Sequence, residues 1–235
     1  MSRKPVIAVG HRGAPAYAPE NTVASFEEAI RLGARAVEFD LRMTADGVPV
    51  VLHDETLDRT TNGHGEVRHW EWNDLLRVDA GSWMHQRFAG TRVPCLDEAL
   101  LAIGPYARPV IELKVEVPPA VLLASLRKYD LEGDALVISF EPRWLANLRR
   151  ESRELALGLL AEQWSNELPA VAERVGAEVL GLHTEIIGTT QVAAAEAKRL
   201  EVWAYTANDV GMVAACAAMG VTGIITDRPD LIRAR

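Results

Sequence analysis

Short apolar runs rich in β-branched residues alternate along the chain with longer stretches whose apolar residues recur at helical spacing. The first run, at residues 6–9, is followed by a turn rich in Gly and Pro and then by an amphipathic stretch at 23–32. Short runs of this kind are typical of strands, and stretches with helical spacing are typical of helices. The predicted strands are 6–9, 36–41, 110–113, 136–140, 156–160, 179–182, 202–205 and 223–226. The predicted helices are 23–32, 96–103, 119–129, 142–151, 168–175, 189–200 and 209–219.

The number of strands decides between two α/β architectures. An open doubly wound sheet usually has five or six strands, whereas a closed barrel needs eight strand and helix units in about 250 residues. The chain has 235 residues. We therefore predict an α/β fold, a single (β/α)8 TIM barrel, which forms one domain over residues 1–235.

One segment departs from the regular alternation. A further strand-like run, at 48–52, follows the second strand through Asp46-Gly47, a dipeptide typical of hairpin turns. Residues 55–94 come next and are rich in polar residues, Gly and Trp, where a single helix would suffice. We predict a small insertion after the second strand that covers one barrel face. It is too short to carry a core of its own.

Charge and composition restrict the partners. The chain carries 33 Asp and Glu against 25 Lys and Arg, a formal net charge of −8, and shows no cluster of Lys and Arg. Nucleic acid and stable membrane association are therefore not expected, and a site for an anionic small molecule must supply its own positive charge. No apolar window reaches the length of a signal-peptide core or a membrane span, so we expect a cytoplasmic protein. Its two cysteines form no C-x-x-C pair.

Carboxylates at the predicted strand ends are candidate metal ligands, because barrel active sites form at the C-terminal ends of the strands. Glu38 and Asp40 are two residues apart and share one face of their strand, as do Glu112 and Lys114. Converging carboxylates repel one another unless a cation lies among them, and oxygen ligands favour Mg²⁺ or Ca²⁺. The alternative is that neighbouring Lys and Arg side chains neutralise them as salt bridges.

Two histidines also follow strand-like runs. His11 ends the first run and His53 ends the run after Asp46-Gly47. Imidazole is the side chain best matched to proton transfer near neutral pH, so the pair could act as general acid and base. The other four histidines show no metal-ligand spacing. Of these, His183 ends the sixth strand and is a further candidate for the barrel mouth.

Five short motifs at these positions match a known family in order and spacing. They are His11-Arg12-Gly13, Glu20-Asn21-Thr22, Glu38-x-Asp40, His53-Asp54 and Glu112-x-Lys114. The chain resembles the glycerophosphodiester phosphodiesterase family over essentially its whole length, including the insertion after His53. The likeness continues through Ser139-Phe140, Tyr205-Thr206-x-Asn208 and Thr226-Asp227.

This resemblance implies an activity and a role for each matching residue. The activity is hydrolysis of a small glycerophosphodiester, such as glycerophosphocholine or glycerophosphoethanolamine, to sn-glycerol 3-phosphate and an alcohol. The implied ligands of one divalent cation, Mg²⁺ or Ca²⁺, are Glu38, Asp40 and Glu112. The implied acid and base are His11 and His53, and the implied phosphate-binding residues are Arg12 and Lys114. Candidates for the alcohol pocket are Phe140 and Tyr205, the latter standing where relatives often carry Trp.

Several alternatives stay open at this point. The nucleophile is either water or the glycerol 2-hydroxyl, and either histidine can be the acid. A rival activity is that of a lysophospholipase D or phospholipase, for which the insertion offers a lipid-facing lip of Trp70, Trp72, Trp83 and Phe88. A second rival is a catalytically silent barrel that binds a phosphorylated ligand. Such a protein would be expected to have lost a carboxylate or a histidine, and this chain has kept them. The sequence does not determine an oligomeric state.

Overall fold

The strands form one closed sheet. The computed structural model describes residues 5–232, so the predicted domain, 1–235, extends beyond the described residues at both ends. In chain order the strands are β1 (Ile7–Gly10), β2 (Ala36–Met43), β3 (Pro49–Val51), β4 (Arg108–Leu113), β5 (Leu136–Ser139), β6 (Ala156–Ala161), β7 (Val179–His183), β8 (Glu201–Tyr205) and β9 (Gly223–Thr226).

All of these strands except β3 belong to a parallel barrel. The order β1-β9-β8-β7-β6-β5-β4-β2 is closed by parallel pairing of β1 with β2, in which Val9 lies opposite Ala36. The remaining strand, β3, pairs antiparallel with β2 through a turn in which Gly47 takes a φ of +79°. The predicted (β/α)8 TIM barrel and the hairpin at Asp46-Gly47 are thus confirmed. Because β5 ends at Ser139, Phe140 follows the strand rather than belonging to it.

Helices cover the outside of the barrel, except for the second of them, which lies in the insertion. They are α1 (Val23–Arg31), α2 (Trp72–Leu75), α3 (Leu96–Ile103), α4 (Pro119–Lys128), α5 (Pro142–Glu151), α6 (Leu168–Arg174), α7 (Thr189–Glu196) and α8 (Val210–Met219). Helix α7 ends before the predicted residue 200, and Arg199 just beyond it has a left-handed φ of 62° that a continuing helix cannot hold. Within residues 5–232, no helix combines the length and the apolar character that crossing a membrane requires.

Helix α1 shows how the local sequence specifies an element. Thr22 caps its N-terminus by accepting a hydrogen bond from the backbone nitrogen of Ser25. Phe26 and Ala29 are buried on one face, and the Phe26 ring lies 5.6 Å from that of Phe39 on β2. Gly33, just past the end, has a φ of +94°, which suits a residue without a side chain. The helix therefore runs from the first strand end back to the start of β2.

Two separate layers of apolar side chains stabilise the barrel. The larger layer lies between the strands and the helices. The smaller one fills the barrel interior below the mouth, with Trp203 of β8 as its largest member. Tyr205, two residues further along β8, packs against the same interior cluster, as expected from the period-two alternation of a strand. The barrel interior is thus filled below its mouth.

The insertion at 55–94 has more internal structure than predicted. It contains α2, two 3-10 turns and a third apolar cluster, in which Leu57, Val67 and Leu75 are buried. Val50 of β3 belongs to the same cluster. Six of the eight buried members of this cluster come from the insertion, and the other two, Val50 and Leu52, come from β3 and the residue that follows it. The insertion and the hairpin therefore share one apolar cluster.

Replacing Gly223 by Ala is expected to lower the free energy of unfolding by about 1–3 kcal/mol, because the added methyl group overpacks the interior. A Cβ at this position would lie 2.7 Å from the Trp203 indole. Equilibrium denaturant unfolding measures the effect. Gly133→Ala is the control, since a Cβ there meets nothing within 4 Å, and its effect should stay within about 0.5 kcal/mol. Equal stability of Gly223→Ala and the parent chain would contradict this view of the interior.

Candidate active site

Three buried carboxylates meet at the barrel mouth. Glu38 and Asp40 lie on β2, and Asp40 stands in register opposite Glu112 on the neighbouring strand β4. One oxygen from each of the three side chains lies within 4.8 Å of the others, and all three residues are buried. The predicted metal ligands are therefore brought together, by the alternation of side chains on β2 and by the pairing of β2 with β4.

Two cations face these carboxylates. Arg12 Nε lies 3.2 Å from an Asp40 oxygen, and the backbone nitrogen of Arg12 donates to Glu38 at 2.8 Å. Lys114 Nζ lies 3.4 Å from the other Asp40 oxygen and forms an ion pair with Glu112. Three negative and two positive formal charges leave one net negative charge. Salt bridging thus accounts for most of the charge in this cluster but not for all of it.

The pKa values of the three carboxylates are shifted in different directions. Burial, together with the charges of Asp40 and Glu112, raises the pKa of Glu38 well above its ordinary value. Burial and the charge of Asp40 also raise the pKa of Glu112. Burial alone would raise the pKa of Asp40 as well, but Arg12 and Lys114 outweigh it and hold this pKa below its ordinary value. A further positive charge is what would keep Glu38 and Glu112 ionised.

The donor set fits a hard divalent cation. Glu38 Oε1 is buried and makes no hydrogen bond to any residue that the structure describes. A buried oxygen without a hydrogen bond destabilises the folded state unless a ligand binds it. Three carboxylate groups without sulfur or imidazole are ligands that suit Mg²⁺ or Ca²⁺. Glu38, Asp40 and Glu112 can therefore hold such an ion.

The turn after β1 places Arg12 over the carboxylates. Arg12 has a left-handed φ of 49°, and Gly13 follows with a φ of +92°. A Cβ on Gly13 would lie 2.3 Å from the Ser25 hydroxyl oxygen, so no larger residue fits. That hydroxyl donates to the Arg12 carbonyl at 2.9 Å and accepts from the Ala14 nitrogen at 2.8 Å. The start of α1 thus fixes the turn.

Asn21 fixes Asp40 from the same loop. Its amide nitrogen donates to Asp40 Oδ2 at 2.8 Å, and its carbonyl oxygen accepts from the Asp40 backbone nitrogen at 3.2 Å. Thr22 next to it caps α1. Asn21 and Thr22 of the motif Glu20-Asn21-Thr22 therefore support a carboxylate of the cluster and the start of the helix.

Each of the two predicted histidines is held by a carboxylate. His11 Nδ1 lies 2.6 Å from Asp227 Oδ1, and His53 Nδ1 lies 2.7 Å from Asp54 Oδ1. A carboxylate only accepts, so Nδ1 donates in both pairs and Nε2 is the nitrogen left for exchange of a proton. Burial lowers the pKa of His53.

Two residues that support His11 had no role assigned from the sequence: Asp227, which contacts the ring, and Asn208, which contacts Asp227. Asn208 donates to Asp227 Oδ2 at 2.6 Å and accepts from the Asp227 backbone nitrogen at 2.8 Å. Both follow barrel strands, Asn208 after β8 and Asp227 after β9. Their position at strand ends, the same signal that indicated the carboxylates, could have identified them.

The opposite side of the mouth is aromatic. The Phe140 ring lies edge-on to Tyr205 at 6.1 Å, and His183 lies edge-on to the same ring at 5.6 Å. Burial, followed by the charges of Glu162 and Glu112, raises the pKa of Tyr205. The two predicted pocket residues are therefore in contact, at the ends of β5 and β8. The remaining histidines are exposed residues of the insertion and do not join this site: His64, His69 and His85.

A barrel with acidic, basic and imidazole groups at one end is typical of hydrolases that act on phosphate esters. The chain belongs to the glycerophosphoryl diester phosphodiesterase family, whose model matches residues 11–231. It is therefore a phosphoric diester hydrolase, and both the family and the reaction class predicted from the sequence are confirmed.

Individual relatives agree over nearly the full length. A glycerophosphodiester phosphodiesterase from Bacillus subtilis is 33% identical over 98% of this chain and 86% of its own length. The crystal structure of a glycerophosphodiester phosphodiesterase from Agrobacterium tumefaciens is 33% identical with a TM-score of 0.85, over 97% of this chain and 98% of the other. An Oleispira antarctica phosphodiesterase, 30% identical with a TM-score of 0.91 over 96% and 94% of the two chains, was solved in complex with the product sn-glycerol-3-phosphate.

Proposed function

We propose that this chain hydrolyses small glycerophosphodiesters, such as glycerophosphocholine and glycerophosphoethanolamine, to sn-glycerol 3-phosphate and an alcohol. The observation that carries the proposal is the cluster of three carboxylates within 4.8 Å of one another at the barrel mouth, with a carboxylate-held histidine on each side. The product bound to the Oleispira antarctica relative supports glycerol phosphate as the common part of the substrate.

One divalent cation, Mg²⁺ or Ca²⁺, would be held by Glu38, Asp40 and Glu112. When bound, it supplies positive charge that polarises a phosphoryl oxygen and favours ionisation of an oxygen nucleophile. Its two charges would turn the single net negative charge of the cluster into a net positive one. The mouth would then attract a phosphodiester monoanion in spite of the net charge of −8 on the whole chain.

Arg12 and Lys114 are the proposed phosphate-binding residues. Both side chains are mostly buried, and each already lies beside Asp40, at 3.2 Å and 3.4 Å. Cations held at the edge of a carboxylate cluster can donate to the equatorial oxygens of a phosphate without large rearrangement. They would orient the phosphorus toward the two histidines.

His11 and His53 are the proposed acid and base. One removes the proton from the attacking oxygen, which belongs to water or to the glycerol 2-hydroxyl, and the other donates a proton to the oxygen of the leaving alcohol. If the 2-hydroxyl attacks, water then opens the cyclic phosphate to give sn-glycerol 3-phosphate. Asp227 and Asp54 hold the two Nδ1 atoms, so each ring keeps the tautomer that presents Nε2. Phe140 and Tyr205 would line the pocket for the alcohol, since their edge-to-face pair forms the aromatic side of the mouth.

Two observations favour small diesters over lysolipids. In the insertion, Trp70 and Trp72 pack against its apolar cluster rather than forming a lip. Trp83 is 43% exposed, but its indole nitrogen donates to the Ala80 carbonyl within the same loop. A lipid-directed enzyme needs an apolar path for acyl chains, and these side chains are used in holding the insertion together.

A substrate panel tests this proposal. Release of the free alcohol is measured with glycerophosphocholine, glycerophosphoethanolamine, glycerophosphoglycerol and lysophosphatidylcholine, each with and without Mg²⁺ or Ca²⁺. The matching phosphate product is sn-glycerol 3-phosphate from the diesters and lysophosphatidic acid from the lysolipid. We expect kcat/KM for the best diester to exceed that for the lysolipid at least about tenfold, which corresponds to about 1.4 kcal/mol of transition-state binding. Faster turnover of the lysolipid would support the lipid-directed alternative, and no turnover of any member would support a silent barrel.

A further inference from the structure

Arg59, a residue of the insertion, bridges two carboxylates from different loops. Its Nε and Nη2 donate to Asp54 at 2.6 Å and 3.1 Å. Its Nη1 and Nη2 donate to Glu20, which lies in the loop after β1, at 2.8 Å each. Both contacts are bidentate, the geometry for which a planar guanidinium is suited and a lysine is not.

Each of these carboxylates holds a residue of the proposed machinery. Asp54 accepts from His53 Nδ1 at 2.7 Å, and Glu20 accepts from Arg12 Nη1 at 2.8 Å. A continuous chain of alternating charges therefore runs from His53 through Arg59 to Arg12. The insertion thus reaches the active site through one side chain.

The two histidine pairs differ in what orients the carboxylate. Asp227 of the His11 pair is fixed by Asn208, which follows a barrel strand. Among the residues that the structure describes, Asp54 of the His53 pair accepts side-chain hydrogen bonds from Arg59 and from His53 itself. Hydrogen bonds from Arg59 hold the pKa of Asp54 below its ordinary value. Without Arg59, the described side chain that still bonds to Asp54 is His53 itself, the ring that Asp54 has to orient.

We propose that Arg59 is a positioning residue that acts through Asp54 to hold the His53 imidazole in its productive orientation. This inference rests on the proposed function, because it requires His53 to transfer a proton. Arg59 is 46% exposed in its side chain, and ion pairs at that exposure contribute little to folding. The contribution of Arg59 is therefore expected in turnover rather than in stability.

The first test is Arg59→Ala. We expect kcat to fall about 10- to 100-fold, the scale on which loss of an outer-shell partner lowers activity in metal sites, with KM within about threefold and an unchanged thermal unfolding temperature. Arg68→Ala is the matched control, because Arg68 lies in the same insertion and forms an exposed ion pair with Glu66. It should leave kcat unchanged. A rise in KM at constant kcat would overturn the proposal and indicate that Arg59 acts through Arg12.

The second test repeats Arg59→Ala in a His53→Ala background. If Arg59 acts through His53, the substitution has nothing left to disturb and lowers kcat by no more than about twofold. The same fold loss in both backgrounds would show a general structural role and would refute the proposal. Near-normal turnover of His53→Ala alone would instead refute the proposed function, whatever Arg59→Ala does. Should Arg59→Ala fail to fold, Arg59→Lys, which keeps the charge but not the bidentate fork, is put through the same two comparisons.

Discussion

Turnover is expected to fall at least ~10²-fold in His11→Ala and in His53→Ala, with folding intact, which is the usual scale for a lost general acid or base. Each ring is anchored at Nδ1 by a carboxylate, at 2.6 Å and 2.7 Å, so Ala removes the group that exchanges the proton and not a part of the core. Single-turnover and steady-state release of sn-glycerol 3-phosphate from glycerophosphocholine measure the loss.

His69→Ala is the matched control for these two variants. His69 is an exposed residue of the insertion and lies outside the site, so its removal should leave kcat unchanged. Circular dichroism and thermal unfolding establish that all three variants fold. If both His11→Ala and His53→Ala turned over at nearly the parent rate, the acid and base assignment would be wrong.

Removal of divalent cations is expected to abolish activity, and addition of Mg²⁺ or Ca²⁺ to restore it. The reason lies in the charge of the mouth, where three carboxylates and two cations leave one formal negative charge, and a bound cation would supply the positive charge that a phosphoryl oxygen needs. The measurement is turnover after EDTA treatment and gel filtration, followed by titration with each ion. Full activity in rigorously metal-free enzyme would contradict the proposed cation site.

Cation binding has a second readout that does not depend on turnover. An ion that binds only the folded chain stabilises it by RT ln(1 + [ion]/Kd), about 2.7 kcal/mol at a hundredfold excess over Kd. Mg²⁺ or Ca²⁺ should therefore raise the unfolding temperature of the parent chain but not that of Asp40→Asn. Glu27→Gln, an exposed carboxylate on α1, is the control and should respond as the parent does. An equal rise in Asp40→Asn would place the bound ion elsewhere.

Most of the architecture was predictable from the sequence, since a closed barrel repeats one local pattern. Apolar runs with strand character, separated by amphipathic stretches, needed only to be counted to distinguish the barrel from an open sheet. The errors fall where local pattern carries little information. The end of β5 lies before Phe140, and α7 ends early, with Arg199 beyond it in a left-handed φ. The third difference is the structure inside the insertion, whose cluster draws on Val50 of the hairpin.

The site was predictable in part for the same reason. Glu38 and Asp40 share a strand face because side chains alternate, and this is visible in any sequence. The carboxylates that anchor the two histidines could not be predicted equally well from the sequence. Asp54 follows His53 directly, but Asp227 meets His11 only because β9 pairs with β1 when the barrel closes.

By itself the sequence determined the barrel, the strand ends that carry the candidate site residues and the residue types gathered there, because these follow from periodicity and spacing within single elements. Only the tertiary structure decided which charges neutralise one another, that a buried oxygen of Glu38 is left without a hydrogen-bond partner among the described residues, and that Arg59 reaches Glu20. These contacts join residues distant in sequence. The energies of these contacts depend on burial and on distances of a few ångströms. Closure of the barrel and folding of the insertion determine both.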